Sequence, residues 1–317
     1  MRTRKLGWTD LELTTIGFGT WAAGGSGWRF SWGYQDDRES IRAIVHACEI
    51  GINWIDTAAV YGLGHSEEIV GKAIKQLSKR PIIATKCSRV WDSDGTISGS
   101  LKKDSIRREL EDSLRRLDIE MIDLYQLHWS VPEEDIEEAW EVMRAFIAEG
   151  KIRYAGVSNF SVAQLARIQK LHPVASLQPP YSMLKRDVEH ELLGYCGKND
   201  IGVVAYSPMQ KGLLTGKFTR ERADNLPDDD HRRNDPLFRD PVLSANLKLA
   251  ARLGEIARRY DRTAAQLAIA WVLRRTEVTA AIVGARRPSQ IEETAAAADW
   301  VLPDEVIGEI DLLLADG

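Results

Sequence analysis

The chain predicts an α/β fold, a (β/α)8 TIM barrel with an N-terminal β-hairpin and extra C-terminal helices, and three observations point to it. Eight short apolar runs alternate with longer amphipathic, charged segments, the pattern of βα units around a parallel sheet. No linker, repeat or shift of composition divides the 317 residues, so residues 1–317 read as one barrel domain, within the size that single barrels reach. Most of the runs also end on a polar or aromatic residue, as expected where strand ends share one rim.

In chain order, "RKLGWTDLELT" places two short arms around a Gly-Trp-Thr-Asp turn and reads as a hairpin able to cap the barrel bottom. The eight runs are "LTTIGFG" ending at Gly19, "INWID" at 52–56, "PIIATK" at 81–86, "MIDLYQLH" at 121–128, "IRYAGVS" at 152–158, "ASLQP" at 175–179, "IGVVAYS" at 201–207 and "TAAIVG" at 279–284. Between them lie helices with legible starts. Ser161 with Gln164, Thr263 with Gln266 and Ser289 with Glu292 each have the spacing of a capping box. Ile41, Ile44, Val45 and Cys48 share one helical stripe that Gly51 terminates. Residues 210–245, with "NLPDDDHRRNDPLFRDP", are too long and polar for an ordinary connection and read as a lid or binding loop, or as a plain surface excursion.

Composition bounds the function. With 44% hydrophobic and 28% charged residues the chain has the makings of a large core and is not disordered. A net charge of -5 argues against nucleic acid or an anionic membrane and for a small or neutral partner. The first ten residues carry no apolar segment behind their basic residues, and no run of about 18 apolar residues occurs, which disfavours secretion and membrane spanning. Cys48, Cys87 and Cys196 give neither a disulfide framework nor a metal spacing, so a cytoplasmic location and no metal are expected. Oligomeric state is not encoded in any of these features.

"GFGTWA" at 17–22, with Asp36 and Asp37 downstream, imitates a Rossmann fingerprint. That fingerprint must open a helix, whereas "AGGSGWRFSWGYQ" defeats helical propensity. The glycines instead suit close approach of a loop to a ligand.

The strand ends carry the chemistry. In order they deliver Trp21, Asp56 with Tyr61 in its loop, Lys86, His128, Ser158 with Asn159, Gln178, and Tyr206 with Ser207. Taken singly, Asp56 can cap a turn, Lys86 can snorkel and His128 can be a satisfied core histidine. Taken together, a lysine at a barrel mouth needs a counter-charge, and Asp56 on the neighbouring strand can supply it. An ammonium beside Tyr61 favours the phenolate, lowers the phenol pKa and makes the hydroxyl a proton donor at neutral pH. His128 can orient a substrate oxygen or share the proton. Ser158 and Asn159 can hold a carboxamide, and Tyr206 offers a face for a planar ring. "GARRPSQIEE" forms a candidate anion site, and "SPMQKGLLTGK" at 207–217 offers glycine-permitted backbone and a lysine to the same ligand.

With Asp56, Tyr61, Lys86 and His128 on successive strand ends, the chain resembles the aldo-keto reductase superfamily, in the branch of bacterial general aldo-keto reductases and potassium-channel β subunits. "GINWIDTAAVYGLGHSEEIVG", "LHW" at 127–129, "GVSNF" at 156–160 and "YSPMQKGLLTGK" look like that family's motifs, in order, over essentially the whole chain. The resemblance implies NADPH or NADP+ across the barrel mouth and reversible reduction of a small carbonyl substrate, with Tyr61 as general acid and base. Lys86 and Asp56 would tune Tyr61, and His128 would position the carbonyl. The cofactor would be held by Gly19, Thr20, Trp21, Asp56, Ser158, Asn159, Gln178 and Tyr206. From the covering loop would come Ser207, Pro208, Met209, Gln210, Gly212, Leu213 and Lys217. At the adenosine end would lie Gly284, Arg286, Gln290 and Glu293, with Arg286 facing a 2′-phosphate. Thr294 stands where the family often has Asn, which removes one expected adenine contact. Trp21, Trp91 and Trp129 are candidates for the substrate pocket, which favours neutral aldehydes, ketones or keto esters. Two other readings share these residues: an NADP(H)-binding sensor or regulatory subunit with little turnover, and a Schiff-base aldolase using Lys86. An Asp-paired lysine is a poor nucleophile, which weighs against the aldolase.

Overall fold

The computed structural model describes residues 1–315. A hairpin of β1 (Thr3–Lys5) and β2 (Glu12–Thr14) precedes the barrel. There follow β3 (Ile16–Gly19), α1 (Asp37–Glu49), β4 (Trp54–Asp56), α2 (His65–Ile74) and β5 (Ile82–Cys87). A second hairpin, β6 (Arg89–Trp91) and β7 (Ile97–Gly99), leads to α3 (Lys103–Leu117), β8 (Ile122–Leu127), α4 (Ile136–Ala148) and β9 (Ile152–Ser158). Then come α5 (Val162–Ile168), β10 (Ser176–Gln178), α6 (Leu192–Lys198) and β11 (Gly202–Ala205). The chain continues through α7 (Arg220–Asp224), α8 (Val242–Arg258) and α9 (Ala264–Leu273) to β12 (Val278–Gly284), α10 (Pro288–Ala295) and α11 (Asp304–Ala315).

Strands β3, β4, β5, β8, β9, β10, β11 and β12 form a closed barrel in that order, with β12 pairing back to β3, and every barrel pairing is parallel. All eight predicted runs are barrel strands. The larger apolar layer lies outside the barrel, where Phe18, Ile55, Ile83, Tyr125, Leu127, Val157, Val203 and Val283 meet the helices. The alternate positions point inward, as a period of two requires.

The inward positions sort the barrel by depth. On β4, Trp54 lies two residues before Asp56, so both face the interior, Trp54 one level below. Trp54 packs with Leu6, Leu11 and Leu13 of the N-terminal hairpin and with Ala84, Leu124, Val204 and Ala280 of the strands. The hairpin therefore does close the barrel bottom, and the polar groups two residues further along the strands lie toward the opposite end.

Helix starts follow the sequence signals with one exception. Asp36 caps α1 by accepting from the Glu39 amide, and the Ser161/Gln164 and Thr263/Gln266 capping boxes are both formed. The Ser289/Glu292 box is not: α10 begins at Pro288 with Arg287 at the cap and no side-chain cap bond. Pro288 is pre-set for the first helical position, which moves the start one residue ahead of Ser289. The pseudo-Rossmann segment opens only a short 3-10 turn, Trp21–Gly24. The 210–245 segment carries short helices and its own apolar cluster of Leu213, Phe218, Leu226, Phe238 and Leu243.

Gly17 sits directly against the floor tryptophan, whose Nε1 donates to the Thr14 carbonyl at 2.9 Å. A Cβ at Gly17 would lie 2.0 Å from Trp54 Cε2. Gly17→Ala is therefore expected to destabilise by about 2 kcal/mol or more through overpacking, read as a lowered denaturation midpoint. An unchanged midpoint would show that the floor packing is looser than described.

Candidate active site

Four residues predicted from strand ends meet at the barrel mouth. Lys86 Nζ donates to Asp56 Oδ1 at 2.6 Å, to the Thr57 carbonyl at 2.8 Å and to Tyr61 Oη at 3.5 Å. An ammonium has three N–H donors, and here each has an acceptor. The pair is buried, with the Lys86 side chain 0% and the Asp56 side chain 3% exposed. The His128 ring stands edge-on to Tyr61 with centroids 5.9 Å apart, and its Nδ1 is buried with no partner.

Burial, then the Asp56 charge, pushes the Tyr61 phenol well above its ordinary pKa. This reverses the expectation that Lys86 would favour the phenolate: the ammonium is already neutralised by Asp56 at close range, so burial decides. Burial also lowers the Lys86 pKa, with Asp56 opposing. Burial, with Lys86 and Arg89 adding to it, holds His128 well below the ordinary histidine value, so its imidazole is neutral at neutral pH.

The second Asp56 oxygen is also held. Gln178 Nε2 donates to Asp56 Oδ2 at 2.8 Å and lies 3.3 Å from Gln126 Oε1. Gln126, fully buried and in register with Lys86, was not predicted. Its signal was available in "YQLH", where it lies two residues before His128 and so shares its face. Thr20 is tied inward as well, its amide and hydroxyl both donating to the Asp56 carbonyl at 3.0 and 3.1 Å.

Beside this centre lie the groups predicted to hold a planar amide. Asn159, in a left-handed conformation with φ 61°, donates to the His128 carbonyl at 3.0 Å and accepts from Tyr206 Oη at 3.0 Å. Ser158 Oγ donates to the Gln178 carbonyl at 2.8 Å. Gly19 and Gly284 pair at the ends of β3 and β12. In the covering loop Ser207, Gln210, Lys211 and Gly212 all have positive φ, Pro208 and Met209 lie between them, and Leu213 is buried in the loop's own cluster.

At the far end Lys217 bridges to Glu293 at 2.5 Å, and the other Glu293 oxygen is buried without a partner. Arg286 donates to Gln35 Oε1 at 2.6 Å and to the backbone carbonyl of Tyr34, and its amide donates to Gln290 Oε1 at 2.8 Å. Thr294 turns its hydroxyl back to the Gln290 carbonyl at 2.9 Å.

The aromatic wall differs from the prediction in part. Trp21 stacks on Tyr61 at 6.0 Å and on His231 at 4.8 Å. Trp91 belongs to the cluster that holds Tyr61, together with Trp28, Phe30 and Ile97. Trp129 does not: it is 42% exposed and outside that cluster, because His128 turns inward and the next residue turns out. Trp28, Trp32 and His231 were missed, since only folding brings the 210–245 segment onto residues 28–32. There Ser31 Oγ donates to Asp229 at 3.1 Å, and the buried Arg232, paired with Asp230, lies 4.6 Å from the Trp32 ring centre.

The Aldo/keto reductase family pattern matches residues 15–315. The chain belongs to the aldo/keto reductase family. It is 40% identical to the aldo-keto reductase YhdN of Bacillus subtilis over 96% of this chain and 91% of that one. It is 36% identical to the NADH-specific methylglyoxal reductase of Escherichia coli over 96% of this chain and 95% of that one. A solved glycerol dehydrogenase from Gluconobacter oxydans superposes with a TM-score of 0.90 at 38% identity, covering 99% of this chain and 95% of that chain. The protein is accordingly an oxidoreductase of this family, and no helix among its described residues is long and apolar enough to cross a membrane.

One aldo/keto reductase strand end rests on a buried acid. Glu109 of α3 lies beneath the Ser88–Arg89 turn that follows Lys86, and burial pushes its carboxyl up to about 8. A folded pKa above the ordinary value of 4.5 means that the stabilising contribution is complete below that value and lost as pH rises through about 8. Glu109→Gln should therefore match the parent's melting temperature near the low end and exceed it by several degrees above the high end. A difference independent of pH would mean that Glu109 is ionised in the fold throughout.

Proposed function

We propose that this aldo/keto reductase reduces an aldehyde or ketone to an alcohol with NADPH, reversibly, using Tyr61 as general acid and base. The observation that carries the reading is the hydrogen bonding of Tyr61. Its oxygen accepts from Lys86, which leaves its own proton free to point into the mouth, beside a neutral imidazole able to hold a carbonyl oxygen. The bound dinucleotide would supply the hydride to the carbonyl carbon. As the C=O electrons move onto oxygen, Tyr61 gives that oxygen a proton. Lys86, whose Nζ lies 3.5 Å from the Tyr61 oxygen, donates a hydrogen bond to it throughout.

The residues fit a dinucleotide. Ser158, Asn159 and Tyr206 gather amide, hydroxyl and ring groups at the reacting end, and the unpartnered buried oxygen of Glu293 offers an acceptor at the other. Burial, then Arg232 with Asp230 opposing, pushes the Arg286 pKa down, and a 2′-phosphate would give that guanidinium an anionic partner. This supports the phosphorylated cofactor. A cytoplasmic location for one barrel unit acting on small carbonyl compounds fits the same reading.

Tyr61→Phe should lower carbonyl reduction by about a hundredfold or more while NADPH binding, followed by fluorescence, survives. Retained turnover in that variant, or no turnover of any carbonyl by the parent, would overturn the proposal. Because the Tyr61 pKa is raised well above 10, the acid is protonated through pH 6 to 9. The chemical step of reduction should stay flat there while alcohol oxidation, which needs the phenolate, rises with pH. For the cofactor, Arg286→Ala should weaken NADPH binding by about tenfold and NADH binding by less than about twofold; equal losses would place Arg286 in loop anchoring alone.

A further inference from the structure

The loop that carries Tyr61 runs between β4 and α2, and it is held from behind by groups that the reaction itself does not use. Three buried hydroxyls gather there, from Thr20 after β3, Thr57 after β4 and Ser66 in the first turn of α2. Ser66 Oγ lies 3.0 Å from Thr57 Oγ1, 2.8 Å from Thr20 Oγ1 and 3.0 Å from the Thr20 carbonyl. Thr20 Oγ1 in turn donates to the Asp56 carbonyl at 3.1 Å.

Each hydroxyl has one proton to give, and that fixes the direction of the chain. A carbonyl only accepts, so Thr20 donates to Asp56, and Ser66 donates to Thr20. The Thr57 hydroxyl must then donate to Ser66. Run in this order, from Thr57 through Ser66 and Thr20 to the Asp56 carbonyl, the chain pairs all three buried hydroxyls.

Two of these residues also touch the catalytic pair. The Thr57 carbonyl accepts from Lys86 Nζ at 2.8 Å, and the Ser66 amide donates to the Tyr61 carbonyl at 3.1 Å. That amide is free to do so because the first turn of a helix supplies no acceptor for it. From the other side the Trp21–Gly24 turn presses on the loop. A Cβ at Gly24 would lie 2.7 Å from the Gly62 nitrogen and 2.9 Å from the Tyr61 carbonyl carbon. Of the three contacts that Lys86 Nζ makes, the one to Tyr61 Oη is the longest at 3.5 Å, so it has the least slack.

Resting on the reductase reading, we propose that Ser66 and Thr57 are positioning residues for the reaction. Their hydroxyls tie the loop to Thr20 and Asp56, and so hold the Tyr61 phenol within reach of both the ammonium and the substrate oxygen. Displacing a reacting group by about 1 Å can cost on the order of a hundredfold in rate.

The test follows NADPH oxidation in single turnovers with 4-nitrobenzaldehyde and with glyceraldehyde. Thr57→Val keeps the shape of the side chain and deletes its hydroxyl, and Ser66→Ala deletes the middle one. Each should slow hydride transfer about tenfold or more, while the affinities for aldehyde and NADPH change by less than about twofold. Thr57→Ser, which keeps the hydroxyl, should recover most of the Thr57→Val loss. The double variant should be slowed no further than Ser66→Ala alone, since both substitutions cut the same link. On a Tyr61→Phe background neither should slow the residual rate further, whereas a general loosening of the barrel would. Unchanged rates in both single variants, a loss carried by either affinity, or a further slowing of Tyr61→Phe overturns the inference and leaves the reductase reading in place. Hydrogen exchange over residues 57–66 reads the same device without turnover, and it should quicken in Thr57→Val and Ser66→Ala but not in Thr57→Ser. That pattern in a protein inert toward every carbonyl would keep the fixed loop and sink the reductase reading; unchanged exchange in an inert protein would sink both.

Discussion

One buried ion pair ties together the groups at the centre of the barrel mouth. Lys86 and Asp56 lie on adjacent strands whose register sets Asp56 opposite Ala84, two residues before Lys86. Taking two charges out of water costs several kcal/mol per ion, and that cost is met only where the remaining donors and acceptors are also satisfied. Here they are. Thr57 and Tyr61 take the other ammonium protons, and Gln178 takes the other carboxylate oxygen. The loop after β4 is thereby drawn back across the pair, which is why Tyr61 stands over it.

The same constraint organises what lies below and above. Below, the period of two along β4 that points Asp56 into the mouth points Trp54 into the floor, where Leu6, Leu11 and Leu13 seal it from water. A dry interior under the ion pair keeps its Coulomb attraction strong. Above, residues 28–32 and 229–232 close over the mouth by packing Trp21 between Tyr61 and His231. Burial of Tyr61 follows from that closure, and with it the raised phenol pKa. The site thus sets a protonated phenol within hydrogen-bond distance of the Lys86 ammonium beneath a closed mouth.

Local signals in the chain were legible where one residue acts on its near neighbours. The strand runs, the Ser161 and Thr263 capping boxes and the glycine stop after α1 depend on contacts within a few residues, and they were read correctly. Ser289 with Glu292 failed on the same scale, because Pro288 competes for the helix start more strongly than a side-chain cap does. Gln126 was legible in principle through its period with His128, yet a buried glutamine on an apolar strand draws no notice until its partner across the barrel is known.

Residue types and their order along the chain thus determined the barrel, the ends at which chemistry gathers and the identities of Asp56, Tyr61, Lys86 and His128. Those follow from periodicity and from the rule that strand ends share a rim. The direction of the Tyr61 pKa was decided only by the tertiary structure, because it follows from how deeply the phenol is covered and how near Asp56 lies, neither of which a sequence contains. So were the outward turn of Trp129 and the arrival of His231 and Trp32 from distant segments. Each depends on which surfaces meet across the barrel mouth, and those meetings are set by the packing of loops up to 200 residues apart, as between Ser31 and His231.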